Sequence, residues 1–383
     1  MQRPEIEEVL RFAELDEEAL RKGKQRQGAV AKNEDTDYLP LLLEDMPVSE
    51  KEQYCRADTG YCQYNRKEQF YDKRKMLFEQ LWGLVSTARS KSDAQPAASV
   101  DLGAGFVPSI LGLEQIVFED KDPWLQERLS KQEITQLAPG NLGEVSRDGL
   151  MPRALEYVAY FRETLGKRAS VCIYPDILWG PFSVAHLIRG DDLFTDLHDD
   201  PGFVHHLMEV ASNLYVRCAS ILKKAIGELN GETCQGGFYL SNSGVWSNED
   251  TAVLVSPSQA EEFVFPYLRK AYAPFGGAVV HFCGRADHLL EPLLELPEVK
   301  GINLGEPEWQ KLSWEEIMKM VLSKGKAYYG HWPRKEGEST AEYFTRMLEP
   351  LEGERRGLVL TYGLTKGEQE NPGKVMDIWH SLQ

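Results

Sequence analysis

The sequence is short of several things, and each shortage excludes something. It has no run of about 18 apolar residues, the length a membrane-crossing helix needs, so no transmembrane span is expected. Basic residues are outnumbered: 43 Lys and Arg stand against 60 Asp and Glu, for a formal charge of -17. A surface so acidic repels phosphate backbones and anionic headgroups, which argues against nucleic acid and membranes as partners. Six cysteines scattered through 383 residues do not make a disulfide framework. Cys55, Cys172, Cys218 and Cys234 are expected to be reduced packing residues. The acidic opening "MQRPEIEEVLRFAELDEEAL" lacks a basic patch followed by an apolar core, so no secretory signal is expected and the address reads as cytoplasmic. G-x-G-x-x-G and G-x-x-x-x-G-K-[ST] are absent, and "DLGAGF" alone is weak support for a phosphate loop.

What is present is a large potential core: 42% of residues are apolar and 27% charged, a globular balance. Residues 1–95 are irregular and charge-rich, with helical patterns over Glu5–Lys24 and Gln69–Arg89, and read as an N-terminal helical extension or cap. "SKSDAQPAAS" then reads as a linker. Over 96–383, strand-like runs alternate with amphipathic helices. The strands are placed at Ala98–Leu102, Gln115–Phe118, Ala169–Tyr174, Thr233–Tyr239, Ala278–Phe282, Gly301–Leu304, Lys326–Tyr329 and Leu358–Thr361. Among the helices, Pro201–Glu228 is the longest. "SPSQ" and "SWEE" are Ser caps answered by Gln or Glu three residues on. This alternation implies a parallel sheet, and eight strands suggest a closed (β/α)8 TIM barrel, with an open doubly wound sheet as the alternative.

In a barrel the strand C-termini share one mouth. Polar residues stand at those ends: Asp101, Asp176 with Trp179, Asn248 with Glu249, His281 with Cys283, Glu306, His331 and Tyr362. Glu249, Asp176 and His331 are candidates for acid–base work, and Asp101, Trp179, Asn248 and Tyr362 for holding a substrate. Loops after strands are often polar for no catalytic reason, and tryptophans such as Trp246, Trp309 and Trp332 are expected to pack.

The sharpest signal is "HFCG", His281 to Gly284, at the end of the best-defined strand. Strand residues two apart point to one face, roughly 6.5–7 Å apart along it, so both side chains can reach one ion. Imidazole and thiolate suit zinc. The plainer reading is a buried cysteine beside a satisfied histidine. The next strand ends in "INLGEPE", and neighbouring strands lie about 4.8 Å apart, so Glu306 is expected to complete a His281, Cys283, Glu306 set with an open position. Tyr362 and His331 stay open as replacements.

Two longer blocks carry a resemblance. "GPFSVAHLIRGDDLFTDLHDDPGFVHHLME" and "LVSPSQAEEFVFPYLRKAYAPFGGAVVHFCG" resemble blocks of the uroporphyrinogen decarboxylase superfamily, and His-x-Cys-Gly resembles its zinc- and cobalamin-dependent methyltransferase branch. The resemblance spans about residues 95–383. It implies a (β/α)8 barrel, zinc on His281 and Cys283, and a homodimer. It also implies a methyl group moved between a corrinoid protein and a thiol or methylated small molecule. No D-x-H-x-x-G stretch holds a corrinoid here, so cobalamin would come on a partner protein. Two features depart from the pattern. Leu364 stands where the third zinc ligand, a cysteine, is usual in that branch, and related enzymes that use a glutamate after His-x-Cys favour Glu306. "KQRQGAV" at 24–30 does not reproduce the arginine loop of the decarboxylases. The alternatives are a metal-independent decarboxylase or lyase acting on a porphyrin-like or aromatic carboxylate, and a non-catalytic corrinoid or tetrapyrrole binder.

Overall fold

The structure is a computed structural model that describes residues 5–54 and 63–383. Cys55 lies outside the described residues. In chain order the strands are β1 (Leu41–Glu44), β2 (Ala97–Val100), β3 (Gln115–Ile116), β4 (Trp124–Leu125), β5 (Ser170–Ile173) and β6 (Glu232–Gln235). They continue with β7 (Phe238–Ser241), β8 (Val245–Asn248), β9 (Ala278–Phe282), β10 (Val299–Leu304), β11 (Ala327–Gly330) and β12 (Leu358–Gly363). A central six-stranded parallel sheet runs in the order β1-β12-β11-β10-β9-β8, and β2 pairs with β5, also parallel. Helices pack around these strands, and one continuous apolar core reaches from Ile6 and Val9 near the start to Trp379 near the end.

Two expected strands do not belong to the parallel set. Gln115–Phe118 contributes only β3, paired antiparallel with β4. Thr233–Tyr239 is broken by Gly236 and Gly237, whose φ angles of 53° and 95° make a tight turn, so β6 and β7 fold back as a hairpin. Their places among the parallel strands are taken by β8, too short to show a period, and by β1, inside the 1–95 segment. The hairpin is anchored inward: Phe238 stacks on Trp246 with ring centroids 5.2 Å apart, and both meet Tyr329 edge-on.

The two parallel sets are tied at both margins. Trp179 bridges Asn248, and Gly180 N–H donates to the Asn248 carbonyl at 2.9 Å, joining the chain after β5 to β8. On the other side Asp93, just before β2, donates its N–H to the Leu41 carbonyl at 3.0 Å and accepts the Leu41 N–H at 3.1 Å. Arg26 neutralises that buried carboxylate at 2.9 Å, and Gln27 spans the Asp93 carbonyl and the Tyr239 N–H. The "KQRQGAV" stretch is therefore occupied at this margin.

Helix boundaries follow local chemistry. The capping boxes at Ser256–Gln259 and Ser313–Glu316 are formed as the sequence predicts, and the long helix runs Pro201–Ile226. The segment after Ser256 widens to a π-type turn over Ala260–Val264, just ahead of Pro266. Proline has no N–H to give and its ring crowds the preceding turn, which a wider turn relieves.

Gly301 marks the tightest strand contact near the site. A Cβ there would lie 2.4 Å from the Ala327 carbonyl oxygen and 2.6 Å from the Tyr329 ring, beside an irregularity in the β9–β10 register. Gly301→Ala is expected to lower unfolding free energy by about 1–3 kcal/mol. A denaturant midpoint equal to that of the wild type would contradict this packing.

Candidate functional site

The parallel strands bring their C-terminal ends to one edge, and the expected residues lie there: Asp101 after β2, Asp176 after β5, Asn248 closing β8, His281 within β9, Glu306 after β10, His331 after β11 and Tyr362 within β12. They fall into separate groups.

The first group is a donor cluster. His281 Nε2 lies 3.2 Å from Cys283 Sγ and 3.7 Å from Asp250 Oδ1. Donor atoms of Asp250, His281 and Cys283 all lie within 4.8 Å of one another, the one such cluster among the described residues. Zinc bonds of about 2.0–2.3 Å in tetrahedral array put donor atoms roughly 3.3–3.8 Å apart, so the observed spacings suit an ion between them. Gly305 keeps that space open: a Cβ there would sit 3.1 Å from His281 Cε1 and 3.2 Å from Cys283 Sγ.

The histidine's orientation is set from behind. Asn303, in register with His281 on the next strand, gives its amide N–H to the Tyr329 carbonyl. That leaves Asn303 Oδ1 to accept from His281 Nδ1, so the proton sits on Nδ1 and the Nε2 lone pair faces Cys283 and Asp250.

Electrostatics at this cluster are lopsided. Cys283 keeps exposed surface, yet the partial burial of its sulfur, then the carboxylates of Asp250 and Glu306, push the thiol up to about 12. Burial also raises Asp250, against the pull of His281. A divalent cation would reverse both effects, because a metal-bound thiol deprotonates.

Glu306, expected as the carboxylate ligand, lies outside the cluster: its Oε2 accepts the Gly284 N–H at 2.7 Å and so secures the turn after Cys283, where Gly284 has φ 90°. Asp250 was missed. It was findable only by recognising Val245–Asn248 as the strand before the His-x-Cys strand, since carboxylates follow both neighbours of β9. Leu364 is buried and offers no donor.

The second group is Asp176, Asn248 and Trp179. Asn248 Nδ2 donates to Asp176 Oδ1 at 3.0 Å. Burial and the carboxylates of Asp101, Asp250 and Asp122 raise Asp176 to about 6. The Trp179 indole N–H stands near enough to ease that charge without closing a regular hydrogen bond, and its ring meets Trp124 edge-on at 6.5 Å. Asp101 accepts the Gly103 N–H at 3.0 Å and pairs with Arg66 at 3.3 Å.

The remaining candidates are engaged elsewhere. Glu249, expected at the mouth, is 0% exposed and closes the N-terminus of the helix Pro181–Arg189, accepting Ser183 N–H and Oγ–H at 3.1 Å. Tyr362 is buried, with its hydroxyl between Arg334 Nη1 at 2.6 Å and Glu368 Oε1 at 2.8 Å. His331 is exposed, and its carbonyl accepts the Tyr328 hydroxyl at 2.8 Å. A cleft of about 860 Å³ opens elsewhere, at the start of β5 among Lys24, Arg162, Ser170 and Cys234, and shares no residue with the donor cluster.

No family model matches the sequence, and no curated protein matches it. Among solved structures, a methyltransferase from Methanosarcina mazei is similar with a TM-score of 0.65 and 15% identity, covering 94% of this chain and 98% of its own. At that identity the likeness shows a methyltransferase-like fold. No helix among the described residues is long and apolar enough to cross a membrane.

Burial raises the Glu249 carboxyl from its ordinary 4.5 to about 8. A carboxyl harder to ionise when folded favours the folded state while both states are protonated, and this contribution drains away as pH rises from about 4.5 to about 8. Glu249→Gln should therefore flatten the stability profile across that window, read as urea midpoints against pH. Parallel profiles for wild type and variant would refute the assignment.

Proposed function

We propose that the chain is a zinc-dependent methyltransferase of the uroporphyrinogen decarboxylase superfamily. It would move a methyl group between a corrinoid, carried by a partner protein, and a thiol or a methylated small molecule. The single observation that carries this is the Asp250, His281, Cys283 cluster with the His281 tautomer fixed by Asn303. The fold shared with a methyltransferase supports the reading. In the same proposal the eight parallel strands, tied at Trp179–Asn248 and at Asp93–Leu41, close as a (β/α)8 barrel. Residues 1–95 extend it, and the molecule works as a homodimer.

The donor chemistry fits the ion. A neutral imidazole, a thiolate and a carboxylate together cancel a divalent charge, and this nitrogen, sulfur and oxygen mixture favours zinc over magnesium or calcium. When bound, zinc supplies a Lewis acid that lowers the pKa of a substrate thiol or polarises a substrate atom. The protein's own groups do the rest. His281 presents a lone pair held in place by two strands behind it. Asp176, near 6 and oriented by Asn248, can hold or release a proton at its carboxyl oxygen close to neutral pH. The apposed carboxylates of Asp176, Asp250 and Asp101 disfavour anionic acids at this edge, which weighs against the decarboxylase alternative.

Protein purified without added metal should contain close to one equivalent of zinc, measured by elemental analysis. Asp250→Asn and Cys283→Ser should lose it, while Glu306→Gln keeps it. Asn303→Leu should weaken binding by about 10- to 100-fold, as loss of a partner behind a metal-bound histidine does. Less than about a tenth of an equivalent in every wild-type preparation would end this reading. Loss in Glu306→Gln but not in Asp250→Asn would restore the other carboxylate.

A further inference from the structure

We infer that the mouth beside the donor cluster binds a protonated, N-methylated amine, held by Asp176 and Asn248 against the Trp179–Trp124 pair. This narrows the substrate class of the function proposed above and rests on it.

Three independent features point there. The first is unbalanced charge. Asp101 and Asp122 share Arg66, at 3.3 and 3.1 Å, whereas Asp176 has no ion-pair partner among the described residues, and the groups acting on it electrostatically are the carboxylates of Asp101, Asp250 and Asp122. Like charges gathered at one edge repel an anionic substrate and draw a cation.

The second is an unanswered acceptor. Asn248 is 5% exposed, its Nδ2 is spent on Asp176, and its Oδ1 is buried without any hydrogen-bond partner. A buried carbonyl oxygen left unpaired costs about 1–3 kcal/mol, and a donor arriving with the ligand removes that cost. Turning the amide over would set its oxygen against the Asp176 carboxylate, so the acceptor is fixed by its neighbour. Asn248 Oδ1 and Asp176 are acceptors, and the unpartnered Trp179 indole N–H is the donor beside them, so the carboxylate and the amide oxygen ask for an N–H cation rather than a bare quaternary ammonium.

The third is the aromatic pair. Trp179 is joined to Asn248 by a backbone bridge, and Trp124 meets it at 71° with centroids 6.5 Å apart. Two indoles steeply inclined to each other make a corner whose faces attract the positive rim of a methylated ammonium. Sitting there, the cation would be within electrostatic reach of Asp250, and so beside the metal cluster.

Three probes of similar shape separate these forces: protonated 2-(dimethylamino)ethanol, neutral 3-methylbutan-1-ol and anionic 3-methylbutanoate. Each is titrated calorimetrically into the full chain near neutral pH, with zinc content measured on the same sample. The amine should bind at least about tenfold tighter than the alcohol, and the carboxylate more weakly still. Asp176→Asn should abolish the preference for the amine, and Trp179→Leu should weaken the amine more than the alcohol. Tetramethylammonium, which lacks the N–H, should bind less tightly than the amine. No amine binding in the millimolar range, equal binding of amine and alcohol, or tighter carboxylate binding would overturn the inference even in fully metallated protein. An amine preference in protein that never carries metal would instead refute the zinc reading and leave this site standing.

Discussion

The arrangement depends on a hydrogen-bond chain that crosses three adjacent strands. Parallel pairing in register sets Asn303 of β10 beside His281 of β9, and the carbonyl of Tyr329 on β11 accepts from the asparagine. A carboxamide has one acceptor end and one donor end, so committing the donor to Tyr329 commits the acceptor to His281. The imidazole is left with one lone pair and one direction for it. The rigidity of the site is thus borrowed from the sheet, which a loop-mounted histidine would lack.

Charge gives the same site its need. Around Cys283 stand Asp250 and Glu306, and further along the edge Asp176 and Asp101, with Arg66 the paired cation of that group. With its pKa raised by burial and these neighbours, the thiol stays protonated near neutral pH. With a cation bound, the carboxylates that suppressed ionisation become the counter-charges of the filled site. The surrounding acid therefore makes the state of Cys283 depend on what binds beside it.

The sequence made some of this legible and hid the rest for identifiable reasons. The strand Ala278–Phe282, the His-x-Cys spacing and the Ser-initiated helices were readable because each depends on a few neighbouring residues. Membership of the parallel sheet was less so. Four-residue strands such as β1 and β8 carry no period, while Thr233–Tyr239 reads as continuous because its apolar residues run on across the Gly236–Gly237 turn. The position of the carboxylates was hidden for a related reason. Glu306 and Asp250 both follow neighbours of β9, and only coordinates show that one turns back to cap Gly284 while the other faces the histidine.

The end of β8 joins these threads. Three consecutive residues there face three different demands: Asn248 aligns Asp176, Glu249 is drawn into the interior to cap the helix at Pro181, and Asp250 turns to His281 and Cys283. Asn248 closes β8, and the chain leaves the extended conformation at Glu249 to enter the helical turn Asp250–Leu254, so the change of direction turns the middle residue inward between the other two. Gly180 is required by that middle residue, since a Cβ would lie 2.0 Å from Glu249 Oε1. The helix and β8 are therefore locked together through a buried carboxyl, and the locking fixes both site residues relative to Trp179, which immediately precedes Gly180. A disturbance of the helix start would move Trp179 and Asp250 together, which makes the two side-chain groups at this edge a single mechanical unit.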